Sequence, residues 1–308
     1  MPRLILVPQY PARLRYQEWW FTEFPDQLSK HFEVLVLGEN FVRNPEDYRQ
    51  GMFSPIKASI SMECQQIEEY MQLELKSDDI LFLHDLSFPG LFASVLFHKQ
   101  CSKMFAFCHA TSLNHLDYFE PWREIKFPIE TAYSQLFDKV FVGSEYHQKK
   151  LGWKNTKVVS LPYPPLFPSK LNKIEKVHDI ISVARPTPQK VDKELEDFVE
   201  SIFGPIYRPR VDTWYGYFSE LLKSKILLVT ANEDTFGYQL IDAVLSNCVP
   251  LARRDFAYPE ILPDEYLYSD KDELVEKIEK FLSNPVVPEI LCHDKMSSFF
   301  ETITKEML

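Results

Sequence analysis

The sequence predicts an α/β protein made of two Rossmann-like domains, each with a parallel sheet. Short apolar runs alternate with segments of helical periodicity, which is the pattern of strands joined by crossover helices. The length of 308 residues suits two domains of ~100–200 residues each. A proline-rich stretch at residues 162–168 breaks both periodicities. We therefore expect a domain at 1–164, a linker at 165–177, a second domain at 178–290 and a final helical segment at 291–308.

Six apolar runs predict the strands of the first domain, and three stretches of helical periodicity lie between them. The strands are expected at residues 4–7, 33–37, 80–84, 104–108, 140–143 and 157–161, and the helices at 16–30, 56–75 and 91–100. Trp19, Trp20 and Phe21 lie in the first helix, where they either line an acceptor groove or pack into the core. The second domain has predicted strands at residues 179–184, 226–229, 249–252 and 266–268, and the last helix is expected at 294–307.

The composition is globular and acidic. Hydrophobic residues make up 45% of the chain and the net charge is −11, which disfavours a nonspecific binder of nucleic acid or anionic membranes. A local basic cluster is either a solvated helix end or a contact for an anionic acceptor or membrane surface. It consists of Lys149, Lys150, Lys154 and Lys157. The 5 cysteines lack metal-ligand spacing, and the first strand is too short for a signal peptide or a membrane span, so we expect free thiols and a cytoplasmic protein.

The stretch after the predicted strand at 226–229 carries the clearest chemistry. It reads Asn232-Glu233-Asp234-Thr235-Phe236-Gly237, and a helix with Tyr238 and Asp242 follows. Gly237 allows the backbone to approach a ligand closely, and the first free amides of the helix face any anion bound there. Asp242 lies about one and a half turns further on, within reach of hydroxyl groups attached to that anion. The spacing predicts a polyol site that uses Asp234 and Asp242, with Glu233 as the competing candidate for the first acid.

A second pattern follows the predicted strand at 179–184. Arg185 ends this strand and Lys190 lies five residues later. Two fixed cations at a strand end can stabilise negative charge that develops on a bound anion during a reaction. Arginine can bind two phosphate oxygens at once, whereas lysine acts as a point charge.

In the first domain, His84 and His109 end consecutive predicted strands. Ligands bind at the carboxyl ends of strands in open parallel sheets, so both histidines could face a cleft between the domains. The alternative is a neutral histidine that caps a buried strand. The loop at 111–120, which contains Asn114, is either an acceptor site or a surface loop. Ser144 follows another strand and is either a ligand contact or a helix N-cap.

These motifs and their order resemble the nucleotide-sugar site of retaining glycosyltransferases with the GT-B fold, the group that includes relatives of glycogen synthase and sucrose synthase. In that group the acidic turn reads Glu-Gly-Phe-Gly, a second glutamate follows eight residues after the first, and Gly-Arg is followed by Lys-Gly at the spacing of Arg185 and Lys190. Here both glutamates are shortened to aspartate, and the glycines beside the two cations are replaced by Ala184 and Val191.

The resemblance implies roles for individual residues. Catalysis would involve His109, Arg185, Lys190 and Asp234. Donor binding would involve Glu233, Thr235, Phe236, Gly237, Tyr238 and Asp242, and the acceptor side would include His84, Asn114 and Ser144. The family's Gly-Gly loop after the first strand is absent, because the chain has Gln9-Tyr10-Pro11-Ala12-Arg13 there. Only 43 residues separate Lys190 from Asp234, so the second domain is trimmed, and the last helix could return to the first domain as it does in the family.

The expected function is transfer of a sugar from a nucleoside-diphosphate sugar to an unidentified acceptor with retention, without a metal or other cofactor. The acceptor could be a glycan, a lipid, a small molecule or a modified nucleobase. Three alternatives stay open at this point: a phage-type glycosyltransferase for modified nucleobases in DNA, a sugar-nucleotide epimerase or phosphorylase with the same fold, and a noncatalytic sugar-nucleotide binder. The oligomeric state is not predicted.

Overall fold

The computed structural model describes residues 1–42, 56–162 and 174–308, and it contains two parallel sheets within these ranges. The strands of the first sheet are β1 (Arg3–Val7), β2 (Glu33–Val36), β3 (Ile80–Leu83), β4 (Lys103–Phe107), β5 (Lys139–Val142) and β6 (Thr156–Val158). They are arranged in the order β2-β1-β3-β4-β5-β6. The helices of this half are α1 (Tyr16–Leu28), α2 (Ile56–Gln72), α3 (Arg123–Ser134) and α4 (Glu145–Leu151).

The second sheet is smaller, with four strands among the described residues. Its strands are β7 (His178–Ile181), β8 (Ser224–Val229), β9 (Val249–Arg253) and β10 (Leu267–Tyr268), in the order β10-β9-β8-β7. The helices of this half are α5 (Lys193–Phe203), α6 (Trp214–Leu222), α7 (Tyr238–Leu245), α8 (Lys271–Ser283), α9 (His293–Ser297) and α10 (Phe299–Met307). The fold class expected from the alternating pattern, two Rossmann-like units with a trimmed second one, is confirmed.

Apolar residues on alternate positions of each strand form the core on both faces of the first sheet. In β1, Leu4 and Leu6 face the cluster that continues to the second sheet, whereas Ile5 and Val7 face the opposite cluster, which includes Tyr70 of α2. These four apolar side chains are buried, and full burial of one aliphatic side chain contributes about 1.5–3 kcal/mol. Because every strand pair is parallel, the carboxyl ends of the strands in each sheet lie along one edge.

The last helix packs on the first half of the molecule, although it follows the second sheet in sequence. Phe299 of α10 contacts Trp20 and Phe24 of α1, with ring centroids 6.0 and 5.7 Å apart. The Lys103 ammonium group at the start of β4 donates hydrogen bonds to the carbonyl oxygens of Met307 (3.0 Å) and Leu308 (2.8 Å).

Several predicted elements differ from the structure. The helix expected at 91–100 is a 3₁₀ segment, Phe92–Phe97, whose entry is fixed because the Glu63 carboxylate accepts the amides of Leu91 and Phe92. The helix expected at 294–307 is interrupted at Ser298, whose ψ of 6° departs from the helical value. The strand expected at 157–161 ends at Val158, and the one at 179–184 ends at Ile181.

Residues 163–173, which hold most of the predicted linker, lie outside the described residues, so the domain boundaries stay a prediction. Across the described residues, we find no helix with the length and apolar character that a bilayer crossing requires.

Candidate active site between the two sheets

A cavity of about 780 Å³ lies between the two halves, and we call it the cleft cavity. Its wall includes Gln9, Asp85 and His109, which follow β1, β3 and β4 of the first sheet. The opposite wall includes residues 183–190, which follow β7, and residues 233–239, which follow β8. The cavity therefore lies where the carboxyl ends of both sheets meet, which is the usual ligand position in parallel α/β proteins.

The start of α7 forms part of the wall and requires glycine. Gly237 precedes the helix with φ of +94°, a conformation that other residues rarely adopt. A β-carbon at this position would lie 2.8 Å from Cε1 of Tyr258, which is fully buried. The glycine therefore brings the backbone of the turn to the cavity and leaves the first amides of α7 near it.

Asp242 lines the same cavity from one turn further along α7, and it is buried. The Tyr217 hydroxyl of α6 donates a hydrogen bond to its Oδ2 atom at 2.8 Å. This contact orients the carboxylate. An oriented carboxylate next to a helix start can accept hydrogen bonds from a pair of sugar hydroxyl groups.

Asp234 and Lys190 form an ion pair in the cavity wall, with 3.3 Å between Nζ and Oδ1. Nζ of Lys190 also donates to the carbonyl oxygen of Glu233 at 3.1 Å. The Tyr258 hydroxyl donates to the other carboxylate oxygen of Asp234 at 3.3 Å. The two predicted motifs, separated by more than 40 residues in sequence, are thus joined through a direct contact.

Glu233 has a different environment from Asp234, although it also borders the cavity. Its carboxylate pairs with Lys150 of α4 and accepts a hydrogen bond from the Tyr146 hydroxyl at 2.9 Å. Glu233 is only 3% exposed, so its acceptor capacity is directed at the first half of the molecule. Asp234 is the more exposed acid of this turn, with 13% of its side chain accessible. Lys150, one residue of the basic cluster noted in the sequence, belongs to this contact between the halves.

Arg185 lines the cavity beside Lys190, as expected for two residues of one loop. Among the described residues, its guanidinium forms no salt bridge with a carboxylate. The backbone of this loop is held by two hydrogen bonds. The Thr187 amide donates to the Arg185 carbonyl oxygen, and the Lys190 amide donates to the Thr187 carbonyl oxygen. A cation held this way can bind an anion with little reorganisation.

His109 lines the cavity from the end of β4, within a layer of aromatic rings. Its imidazole lies 4.4 Å from the Tyr16 ring, 4.5 Å from Phe107 and 4.7 Å from Trp20, measured between centroids. Burial lowers its pKa well below the ordinary value, and the nearby rings of His84 and His147 lower it further. Neutral His109 can therefore donate or accept one hydrogen bond but supplies no charge.

The predicted acceptor residues fall in three different places. Asn114 lines the cavity, and its side-chain oxygen accepts the amide of Thr111 at 2.8 Å. His84 does not line it, because its ring is buried next to Trp20 and Phe24. Ser144 does not line it either, since its hydroxyl caps α4 by accepting the amide of His147.

The remaining donor-side residues connect the two halves. Thr235 donates its hydroxyl to the His109 carbonyl at 2.8 Å, and Ser144 donates to the Thr235 carbonyl at 2.6 Å. Tyr238 stacks on Tyr16 with centroids 5.7 Å apart, and Phe236 packs next to Gly143. Thr235, Phe236 and Tyr238 line the cavity and also fix how the two sheets face each other.

The first-half residues that line the cavity and that sequence reasoning missed include Gln9, Arg15, Tyr16 and Asp85. Gln9 donates its amide to Asp85 at 2.6 Å, and burial raises the pKa of this aspartate well above its ordinary value. Arg15 and Tyr16 lie at the start of α1. The signal that could have found Gln9 and Asp85 is their position directly after a strand, but after the first strand the sequence reasoning looked only for glycines.

Comparison with known proteins shows the fold. No family model matches the chain. Solved structures with a similar fold include HepE from Anabaena in complex with UDP-glucose, with a TM-score of 0.62, 13% identity, and coverage of 100% of this chain and 98% of HepE. A trehalose-6-phosphate synthase, studied for glycosyltransfer with retention, superposes with a TM-score of 0.59, 13% identity, and coverage of 99% of this chain and 98% of the synthase. The chain therefore has the GT-B fold.

Sequence comparison also finds curated relatives of the chain. The tRNA-queuosine alpha-mannosyltransferase of Drosophila melanogaster is 28% identical over 113 residues, which is 35% of this chain. The match spans only 28% of the fly protein's length.

Proposed function

We propose that this protein is a glycosyltransferase that takes a sugar from a nucleoside-diphosphate donor bound in the cleft cavity. The observation that carries the proposal is the convergence of Arg185, Lys190, Asp234 and Asp242 on one cavity at the carboxyl edges of both sheets. HepE, a protein of the same fold, binds UDP-glucose. The fly relative is a mannosyltransferase, which agrees with sugar transfer.

In this proposal each side chain has a defined task. The diphosphate lies between Arg185 and Lys190, whose charges stabilise the leaving group as it separates from the sugar. Asp242 accepts hydrogen bonds from the ribose hydroxyls, and Asp234 accepts them from the sugar. Neutral His109 contacts the sugar from the first half without adding charge. The Lys190–Asp234 ion pair keeps both groups in position before the donor arrives.

We further propose that transfer proceeds with retention and without a metal ion. The bond between the anomeric carbon and the diphosphate oxygen breaks, and the acceptor oxygen attacks the same face of that carbon. The acceptor proton moves to the departing phosphate oxygen, so no protein base is needed. Retention is supported by the likeness to the synthase studied for such transfer. In this proposal, Arg185 and Lys190 take the place at the diphosphate that a metal ion would otherwise fill.

A thermal-unfolding screen of the full chain against UDP-, GDP- and ADP-sugars tests the donor assignment. A ligand present at 100 times its dissociation constant stabilises the folded state by about 2.7 kcal/mol. We expect one nucleotide-sugar class to raise the melting temperature, and the matching free sugar to leave it unchanged. If no nucleoside-diphosphate sugar stabilises the protein at millimolar concentration, the proposed function is wrong.

The acceptor has a second candidate class, a modified nucleoside in RNA. The name of the fly relative supports it. Exposed Tyr118 and Trp122 lie beside the cavity, with ring centroids 6.0 Å apart, where bases could stack. Incubation with the identified donor and with tRNA that does or does not carry queuosine tests this candidate. Equal sugar incorporation into both tRNAs, or none into either, excludes it.

A further inference from the structure

We propose that Arg15 of the first half binds the donor diphosphate together with Arg185, so that the anion bridges the two sheets. This inference rests on the proposed function and adds a binding residue to it. Arg15 and Arg185 both line the cleft cavity, one from the start of α1 and the other from the loop after β7. A diphosphate carries charge for more than one arginine, and its oxygens match the forked geometry of the guanidinium group.

The backbone conformation at Arg15 positions the side chain at the cavity, and the side chain does not cap the helix. Arg15 occupies the N-cap position of α1 in an extended conformation, and its side chain makes no capping hydrogen bond. The preceding Leu14 has φ of +55°, which is uncommon for a residue with a branched side chain. Strained backbone of this kind persists where the surrounding structure holds it, often at ligand sites.

Both halves of the molecule hold this strained turn. The Glu18 carboxylate accepts the Leu14 amide at 3.0 Å and also accepts the indole N–H of Trp214 at 3.0 Å. Trp214 begins α6 in the second half and lines the same cavity. The position of Arg15 is therefore coupled to the arrangement of the two sheets.

The electrostatics agree with an anion between the two arginines. The pKa of Arg15 is lowered to about 10, first because the group is buried and second because Arg185 repels it. The repulsion from Arg185 is larger than the opposing effect of either Tyr16 or Asp117 on this pKa. Two like charges that face one cavity are stabilised by an anion placed between them.

This arrangement also accounts for the loop sequence after β1. A Gly-Gly loop brings exposed backbone N–H groups close to a phosphate. Pro8 and Pro11 have no backbone N–H, and Ala12 carries a β-carbon, so this loop cannot do the same. Arg15 follows this loop directly and can provide with its side chain the contact that the backbone does not.

Isothermal calorimetry on the full chain with UDP, GDP, the matching monophosphates and inorganic pyrophosphate tests the inference. Arg15→Gln should lower the affinity for the nucleoside diphosphate by about 10–100-fold, the range for losing a hydrogen bond to a charged group. The affinity for the monophosphate should fall less. Arg15→Lys keeps the charge and should lose less affinity, and it provides a second variant if Arg15→Gln melts early. Arg13→Gln is the matched control, because Arg13 is exposed in the same loop and does not line the cavity.

The outcomes separate this inference from the proposed function. If Arg185→Gln weakens nucleoside-diphosphate binding and Arg15→Gln does not, the inference is overturned and the proposed function stands. If pyrophosphate binds in a manner that depends on Arg15 but no nucleotide binds, the two-arginine diphosphate site stands and the nucleotide-sugar function falls. If the wild type binds none of these anions, both are overturned.

Discussion

The two walls of the cleft cavity differ in the chemistry they offer. The second-sheet wall presents charged groups on short, fixed turns, with Lys190 and Asp234 in direct contact and Asp242 held by Tyr217. The first-sheet wall is largely aromatic, with His109 packed next to Tyr16, and Arg15 adds a cation to it. In the proposed reaction, the second sheet would therefore supply most of the charge that stabilises the leaving group, and the first sheet would shape the sugar site and exclude water from it.

The largest effect should come from the charged wall. Lys190→Ala and Arg185→Ala should each lower turnover by about 10²–10³-fold, the scale for losing one preorganised stabiliser of developing charge. Steady-state transfer or donor hydrolysis with the donor identified by the thermal screen measures this. Lys193→Ala is the control, because Lys193 is an exposed lysine of α5 that pairs with Asp197. Near-normal rates in both cavity variants would show that these cations do not act on the diphosphate.

The two aspartates of the charged wall should separate by function. Asp242→Asn should weaken binding of the free nucleoside diphosphate by about 1–3 kcal/mol, because the ribose loses a charged acceptor. Asp234→Asn should lower turnover more than nucleotide affinity, since the free nucleoside diphosphate lacks the sugar. Calorimetry with that ligand and rates with the full donor distinguish the two effects.

An equal loss of nucleotide affinity in both variants would mean that the pair is misassigned. Glu233→Gln is the informative comparison in that case. Because Glu233 pairs with Lys150 and Tyr146, its replacement should lower the melting temperature and leave nucleotide affinity near the wild-type value.

A smaller effect is expected on the pH dependence of the free energy of unfolding, because the first half buries a neutral histidine. His147 of α4 is buried outside the cleft cavity, and burial lowers its pKa to about 3, with a further contribution from Lys150. The unfolded chain protonates this histidine below about pH 6.5, whereas the folded protein does not until about pH 3. The free energy of unfolding therefore falls with decreasing pH in this window, by up to about 1.4 kcal/mol per pH unit from this group.

Urea unfolding of His147→Gln at several pH values between 7 and 4 should show a shallower pH dependence than the wild type. His84 and His109 act in the same direction as His147, while the raised pKa of Asp85 and of Glu63 acts in the opposite direction. His178→Gln is the control in the second half, where the ring stacks on Tyr207. Identical slopes for His147→Gln and the wild type would refute this account.

The smallest expected effect is that of chelation. If the two cations serve the diphosphate, transfer should persist in excess EDTA. The measurement is the transfer rate before and after chelation and after addition of Mg²⁺ or Mn²⁺. Complete loss that either metal restores would reject the metal-free mechanism and direct the search to a carboxylate metal site.

The sequence predicts the charged wall better than the aromatic wall for a physical reason. Arg185, Lys190, Asp234 and Asp242 lie at fixed separations from strand ends, and a parallel sheet turns such separations into spatial proximity. Arg15 and Asp85 also follow strands, but no spacing marks them, because their role depends on packing from other elements. Glu18, for example, holds the Arg15 turn only because Trp214 of the other half lies beside it.

Position at the carboxyl end of a strand also predicted site residues that do not line the cleft cavity. His84 ends a strand as His109 does, yet it is buried away from the cleft cavity. Trp20 and Phe24 of α1 cover it, and no local pattern in the sequence shows which strand end a helix will cover. The same limit applies to Ser144, which caps a helix instead of facing a ligand.

Because α10 packs on the first half, the first half produced as a separate fragment would lack part of its core. Phe299 covers an aromatic surface formed by Trp20, Phe24 and Phe107, so a polypeptide of residues 1–162 would expose these rings to water. Such a fragment should aggregate when produced alone. A synthetic peptide of residues 291–308 should bind to it and restore solubility, as in fragment complementation, whereas the peptide with Phe299→Asp should not.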